Sequence, residues 1–291
     1  MVLMAQSIGV VAPGRALTRD TAAKVEALCH ALYGDAVRIV FHDQCFLNAG
    51  HFAGDDKARG AAFREFANDP DIDAIWFARG GYGACRLHDD AFTGLTEPAR
   101  NKLYLGYSDA GAMLVRLYGA GVGAVAHGPM PADILRDDGE KAVERALRYI
   151  VERDAGAIEE HVRAGRKDTP FAAFNIIMLA HLTGTPWLPD LAGHVLLLED
   201  VGEYHYRIDR AMFAITQNPS FSAAAGVRLG RCSEIPENDI AFGGNEEEIV
   251  RDWCSRAGVA FLGRANIGHD TENRVVPFGV KPAGDKASLT T

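Results

Sequence analysis

Short apolar runs and helical stretches alternate through the first half of the chain. Residues 8–12 form an apolar run closed by Pro13 and Gly14, and residues 18–33 carry Ala22, Val25, Leu28 and Leu32 at helical spacing. The order repeats as strand 37–41, helix 55–68, strand 72–78, strand 103–107, helix 110–118 and strand 122–126. Alternation of this kind predicts an open, doubly wound parallel sheet with helices on both faces. Ligands bind such sheets beyond the carboxyl ends of the strands. Two segments fall there, Arg79-Gly-Gly-Tyr-Gly83 and the corner at Ser108.

The pattern changes after a charged amphipathic helix at 137–154. Residues 155–170 are polar and their last six, Gly165-Arg-Lys-Asp-Thr-Pro170, resemble a linker, so a domain boundary is expected there. Beyond it the pattern predicts helix 175–182, a buried strand 195–198, helix 206–216, strand 226–230, helix 246–257 and strands at 259–262 and 275–278. The expected organisation is an α/β domain over 1–154, a linker over 155–170 and a mixed α and β domain over 171–291.

Composition narrows the function classes. The 291 residues carry a net charge of -9 with dispersed Lys and Arg, which excludes a nucleic-acid surface because phosphate neutralisation needs concentrated cations. Five cysteines without a C-x-x-C spacing fit reduced thiols and a cytoplasmic location. The apolar start lacks the basic segment of a signal peptide, and no run approaches the roughly 20 apolar residues of a membrane span.

The candidate chemistry is nucleophilic. Ser108 stands between a strand and a helix, with Gly106, Ala110 and Gly111 supplying the small neighbours that a sharp nucleophile corner needs. The bland alternative is a helix cap. A serine nucleophile requires a base, oriented in turn by a carboxylate. His269, in the polar loop 268–274 between two apolar strands, has the most suggestive setting of ten histidines. For the carboxylate, Glu199 follows the apolar run 195–198, with Asp200 and Glu203 as competitors. The glycine loop 79–83 can bring backbone amides close to a ligand, and Arg79 is either a carboxylate contact or a structural arginine at a strand end. No metal-ligand spacing is present: there is no H-E-x-x-H and no Cys/His cluster.

Read together, these segments resemble the LD-carboxypeptidase family of serine peptidases. The matching text is Phe52-Ala-Gly-Asp55, Arg79-Gly-Gly-Tyr-Gly-Ala-Cys-Arg-Leu87, Gly106-Tyr-Ser-Asp109, His127-Gly-Pro129, Asn175 with Gly184-Thr-Pro-Trp-Leu-Pro189, Leu198-Glu-Asp-Val-Gly-Glu203 with Tyr206-Arg-Ile-Asp-Arg210, and Gly268-His269 with Asn273-Arg and Pro277-Phe-Gly279. The resemblance implies an N-terminal Rossmann-like domain carrying the nucleophile and a C-terminal β-rich domain carrying Glu and His. It assigns Ser108, His269 and Glu199 as a triad, places an oxyanion hole at the backbone amides of Gly81 and Asp109, and makes Asn175 a candidate substrate contact beside Arg79. The implied reaction removes the terminal D-alanine of cytoplasmic murein tetrapeptides, in peptidoglycan recycling, without metal or cofactor and as a homodimer. Two alternatives share the fold: hydrolysis of peptidyl or aminoacyl nucleotides, as in the microcin-immunity branch, and non-catalytic binding of murein peptides. One departure stands out, Ala173-Phe174 where the family commonly has Gly-Gly: if those glycines line the cleft, Phe174 reshapes it, and Phe174 and the aromatic stretch 203–206 are compatible with stacking on a base, with core or rim packing the expected role.

Overall fold

The computed structural model describes residues 6–280, so the outer ends of the two expected units, 1–5 and 281–291, lie outside the described residues. Five parallel strands build the first sheet: β1 (Gln6–Val11), β2 (Val37–Phe41), β3 (Ala74–Phe77), β4 (Leu103–Gly106) and β5 (Ala124–His127). Helices α1 (Arg19–Tyr33), α2 (Asp56–Asn68), α3 (Glu97–Arg100), α4 (Gly111–Gly119) and α5 (Gly139–Glu152) connect or follow them. The two long early helices start where the sequence offers a cap, Thr18 accepting from the Thr21 amide and Asp55 from the Ala58 amide. All four residues of β3 are buried, as a strand covered on both faces requires. One face packs Phe63, Phe77 and Tyr104, and the other Val25, Trp76 and Leu105.

The chain steps from β1 to β2 on one side and returns to β3 on the other. The crevice beyond the strand ends therefore opens between the turn after β1, at Pro13 and Gly14, and the glycine loop after β3. The Ser108 corner follows β4, one strand further along.

Residues 155–170, expected as a polar linker, hold ordered structure. Helix α6 (Glu160–Ala164) lies there, Ala157 and Val162 are buried, and the buried Glu159 carboxylate accepts from the amides of His161, Val162 and Asn266. Its charge is satisfied by backbone donors, which a reading of polarity alone does not reveal.

The second sheet runs β6 (Phe171–Asn175), β7 (Val195–Val201), β8 (Gly226–Ser233), β9 (Phe261–Arg264), all parallel. Helices α7 (Ile176–Leu182), α8 (His205–Thr216), α9 (Pro219–Ser222) and α10 (Glu246–Ala257) lie between its strands. The final strand, β10 (Val276–Pro277), departs from the expected placement: it leaves this sheet and pairs antiparallel with β5 in the first. Apolar pattern predicts such a strand but not its partner. Pro277, lacking an N–H, is tolerated because β10 is an edge strand. This return carries the preceding loop, with His269, over the ends of β4 and β5. Among the described residues no helix is long and apolar enough to cross a membrane.

Candidate active site

Ser108 has φ 58°, a left-handed conformation that costs a non-glycine residue about 1–2 kcal/mol. Its hydroxyl caps no helix: neither the short turn Ser108–Ala110 nor α4 has a side-chain cap. Small neighbours are required around it. A Cβ on Gly106 would meet Phe77 at 3.0 Å, and one on Gly80 would meet Ser108 Oγ at 2.8 Å.

The hydroxyl instead faces His269. Ser108 Oγ lies 2.9 Å from His269 Nε2, and His269 Nδ1 lies 2.5 Å from Glu199 Oε2. The carboxylate can only accept, so Nδ1 carries the proton and Nε2 presents its lone pair to the serine O–H. Glu199 is 0% exposed and His269 8%. The three residues come from a corner of the first sheet, a strand of the second and the loop before β10.

Glu199 reaches this position through the pairing of β7. Leu198 faces Leu229 while Asp200 faces Cys232, so Gly230 and Arg231 of β8 stand opposite Glu199 alone. Such register shifts re-aim a side chain. Gly230 leaves the space: a Cβ there would sit 2.5 Å from the Ile267 carbonyl oxygen and 3.1 Å from Glu199 Cβ.

The His269 loop is tied down on several sides. The Asn273 side-chain oxygen accepts from the Gly268 amide at 3.2 Å and from His127 Nε2 at 3.0 Å. Burial holds His127 below its ordinary pKa, which favours the neutral ring. Arg145 donates to the carbonyls of Thr271 and Asn273, and Arg231 pairs with Asp270. Beneath the imidazole lies the Tyr107 ring, centroids 4.9 Å apart, with its hydroxyl donating to Asp133 at 2.8 Å. Burial pulls the His269 pKa down, but the charge and hydrogen bond of Glu199, helped by Asp200 and Asp133, leave it above its ordinary value. The arrangement can take a proton from a hydroxyl and hold the resulting imidazolium.

The other candidate residues separate. Gly81 adopts φ 121°, and a Cβ there would meet Arg15 Cδ at 2.5 Å, so Arg15 lies across it. Arg79 donates weakly to the Ala16 carbonyl at 3.3 Å, and neither Arg15 nor Arg79 forms an ion pair among the described residues. Asn175 is committed elsewhere: its oxygen caps α7 through the Met178 amide and its nitrogen donates to Asp200 at 2.8 Å. Asp200, directed away from His269, also accepts from the Ile177 and Val201 amides, and burial followed by the Glu199 charge pushes its pKa up to about 7. Glu203 pairs with Arg207 at 2.7 Å. Phe174, for which core or rim packing is the expected role beside cleft shaping or base stacking, is 4% exposed and packs on Phe278, centroids 5.7 Å apart. Its strand is buried along its whole length, so the larger side chain fills core. Tyr204 and Tyr206 stack on each other just after β7.

Sequence reasoning missed Gly230, Asn273, Tyr107 and Arg15 as supports. The motif text around His127 and Asn273 held the one available hint, since neither residue has a reason to be there alone.

Comparison with known proteins finds matches along most of the chain. A family model described as LD-carboxypeptidase N-terminal domain matches residues 8–128, and one described as LD-carboxypeptidase C-terminal domain matches 171–283. The murein tetrapeptide carboxypeptidase of Pseudomonas aeruginosa is 25% identical over 284 residues, covering 94% of this chain and 91% of that protein. In fold, the chain is similar to the muramoyltetrapeptide carboxypeptidase of Oxalobacter formigenes, with TM-score 0.77, 23% identity and coverage of 95% and 96%. It is also similar to the microcin C7 self-immunity protein MccF bound to aspartyl sulfamoyl adenosine, with TM-score 0.75, 17% identity and coverage of 96% and 94%.

Proposed function

From the premise that the chain belongs to the LD-carboxypeptidase family, we propose that it is a serine peptidase releasing the terminal D-alanine of murein tetrapeptides. The observation that carries this reading is the hydrogen-bonded line from Glu199 through His269 to a serine held at φ 58°. Ser108 Oγ attacks the carbonyl carbon of the L,D-peptide bond as His269 Nε2 takes its proton. The negative charge that develops on the carbonyl oxygen is met by the Gly81 and Asp109 amides. His269 then protonates the departing D-alanine nitrogen, leaving an acyl ester on Ser108. Water, deprotonated by the same imidazole, hydrolyses the ester. Glu199 keeps the ring in the productive tautomer throughout.

Arg79 and Arg15 are the cations we assign to the terminal carboxylate, because Arg79 opens the glycine loop, Arg15 lies across it at Gly81, and neither forms an ion pair among the described residues. The relative in Pseudomonas aeruginosa named a murein tetrapeptide carboxypeptidase supports the substrate class, and we propose beside it a role in cytoplasmic peptidoglycan recycling as a homodimer. Hydrolysis of an aminoacyl nucleotide is the second reading, favoured by the stacked Tyr204 and Tyr206 at the end of the strand that bears Glu199, with Tyr206 exposed.

One side-by-side assay tests these readings, with a murein tetrapeptide and an aminoacyl sulfamoyl-adenosine as substrates. D-alanine release is expected, and Ser108→Ala should lower kcat by about 10,000-fold or more while tetrapeptide binding persists. Undiminished turnover in Ser108→Ala overturns the mechanism. Faster cleavage of the nucleotide selects the second reading. Tetrapeptide binding without release, and without labelling of Ser108 by an acylating reagent, selects a binding protein.

A further inference from the structure

The two amides assigned to the oxyanion come from separate segments, the glycine loop and the nucleophile corner, and something must fix one against the other. The loop's own backbone does not. Gly81 and Gly83 have φ 121° and 141°, conformations open to glycine and held only by what surrounds them. A contact across the gap exists. Asp109, the residue after the nucleophile, turns its carboxylate inward, and its Oδ2 accepts from the Ala84 amide at 2.8 Å. The same oxygen would lie 3.1 Å from a Cβ on Gly14, so it fills the crease between the turn after β1 and the loop after β3. From α2, Arg59 grips the loop's far side, donating to the Gly83 carbonyl at 2.8 Å and to the Pro13 carbonyl.

Resting on the serine-peptidase reading, we propose that the Asp109 side chain is a positioning group for the oxyanion hole. Its backbone amide supplies one donor, and its carboxylate locks the loop that supplies the other. Asp109 is 3% exposed and makes no ion pair among the described residues. The groups facing it are the charged Arg59 from α2, itself paired with Asp56, and the titratable Cys85 thiol on the loop, neutral because burial raises its pKa. Burial pushes the Asp109 carboxyl up to about 6, against the lowering effect of the Ala84 and Gly83 amides and of Arg59. A folded pKa above the unfolded value means that holding this group ionised at neutral pH costs stability.

The test compares Asp109→Ala and Asp109→Asn with wild type in tetrapeptide turnover, thermal midpoint at pH 8 and rate of Ser108 phosphonylation by a fluorophosphonate. Asp109→Ala should lower kcat about 100-fold, the scale of one lost oxyanion donor, with KM changed less than about threefold. Asp109→Asn keeps the volume and one acceptor, and should recover about tenfold of that loss with a thermal midpoint at or above wild type. Phosphonylation, which also places a developing negative oxygen in the hole, should slow in the same order. Unchanged kcat in both variants, or a parallel fall of kcat, KM and thermal midpoint in Asp109→Asn, overturns the proposal. If wild type cleaves no peptide, the peptidase reading fails separately and the phosphonylation series decides this one: equal rates in all three proteins, or no labelling in any, overturn it.

Discussion

The serine corner and the carboxylate strand place two ends of one hydrogen-bonded line by different means. Ser108 is set by local backbone: a left-handed φ, small residues at Gly80 and Gly106, and a glycine loop folded against it. Glu199 sits in an ordinary strand, and its direction is set by what β8 does opposite, where two residues face one. The first kind of placement is written mostly in the strand, turn and helix that flank the serine, with Gly80 of the glycine loop leaving room for it. The second depends on a pairing between segments some 30 residues apart, and the His269 loop depends on a longer one still, between β10 and β5. A nucleophile corner can therefore survive as a motif while its partners are lost by small changes in sheet register.

The sharpest break of that comparison removes the carboxylate's charge while leaving the corner intact. Glu199→Gln preserves shape, but a buried amide can present its NH2 to His269 Nδ1 and stabilise the wrong tautomer. We expect kcat to fall by roughly 1,000- to 10,000-fold with tetrapeptide affinity retained, as measured by steady-state turnover and calorimetric binding. A loss below about tenfold would show that Glu199 does not orient the imidazole.

A smaller effect is expected from the strand opposite. In Gly230→Ala the added methyl meets the Ile267 carbonyl oxygen, two residues before His269, and the Glu199 side chain. Neither backbone nor buried carboxylate yields easily, so the His269–Glu199 geometry should shift, and misplacement on the 1 Å scale costs about 100-fold in rate. The expected result is a kcat reduced about 10- to 100-fold and a lower thermal midpoint, with Ser108 still labelled by an acylating reagent. Wild-type kcat in this variant would mean that the strand register has slack.

The same division explains what was legible in the sequence. The doubly wound sheet, the glycine loop and the Ser108 corner follow from apolar runs and turn residues, which act locally. Residue properties alone left Glu199, Asp200 and Glu203 level, because alternation along a strand settles which side chain faces the histidine only once the register is known. The resemblance named Glu199, and the geometry brings that residue, not Asp200, to His269. Asn175 reads as a polar residue near a strand end, and whether it meets a ligand or an α7 amide depends on a neighbour 25 residues away. Phe174 replaces a family glycine, which would narrow a cleft if those glycines line it, but an aromatic in an apolar run is expected in core, and it packs there against Phe278. The edge strand β10 carries no mark of its partner at all.

The smallest expected effect concerns pH, where the two ends of the line pull apart. His269 must be neutral at Nε2 to accept the serine proton, and the Glu199 charge holds its pKa above the ordinary 6.5. The acid limb of kcat/KM should therefore have its midpoint above pH 6.5, measured with tetrapeptide at low concentration. Stability runs the other way. A histidine with a raised folded pKa contributes stabilisation that is fully present below its unfolded pKa and is lost as pH rises through the folded value. Activity thus appears over the window in which the His269–Glu199 attraction fades. In Glu199→Gln the principal raising charge is gone while burial, the largest influence on the ring, remains and lowers its pKa. The residual activity of that variant should keep its acid limb at a lower pH than wild type, and a limb that stays in place would assign the titration to another group.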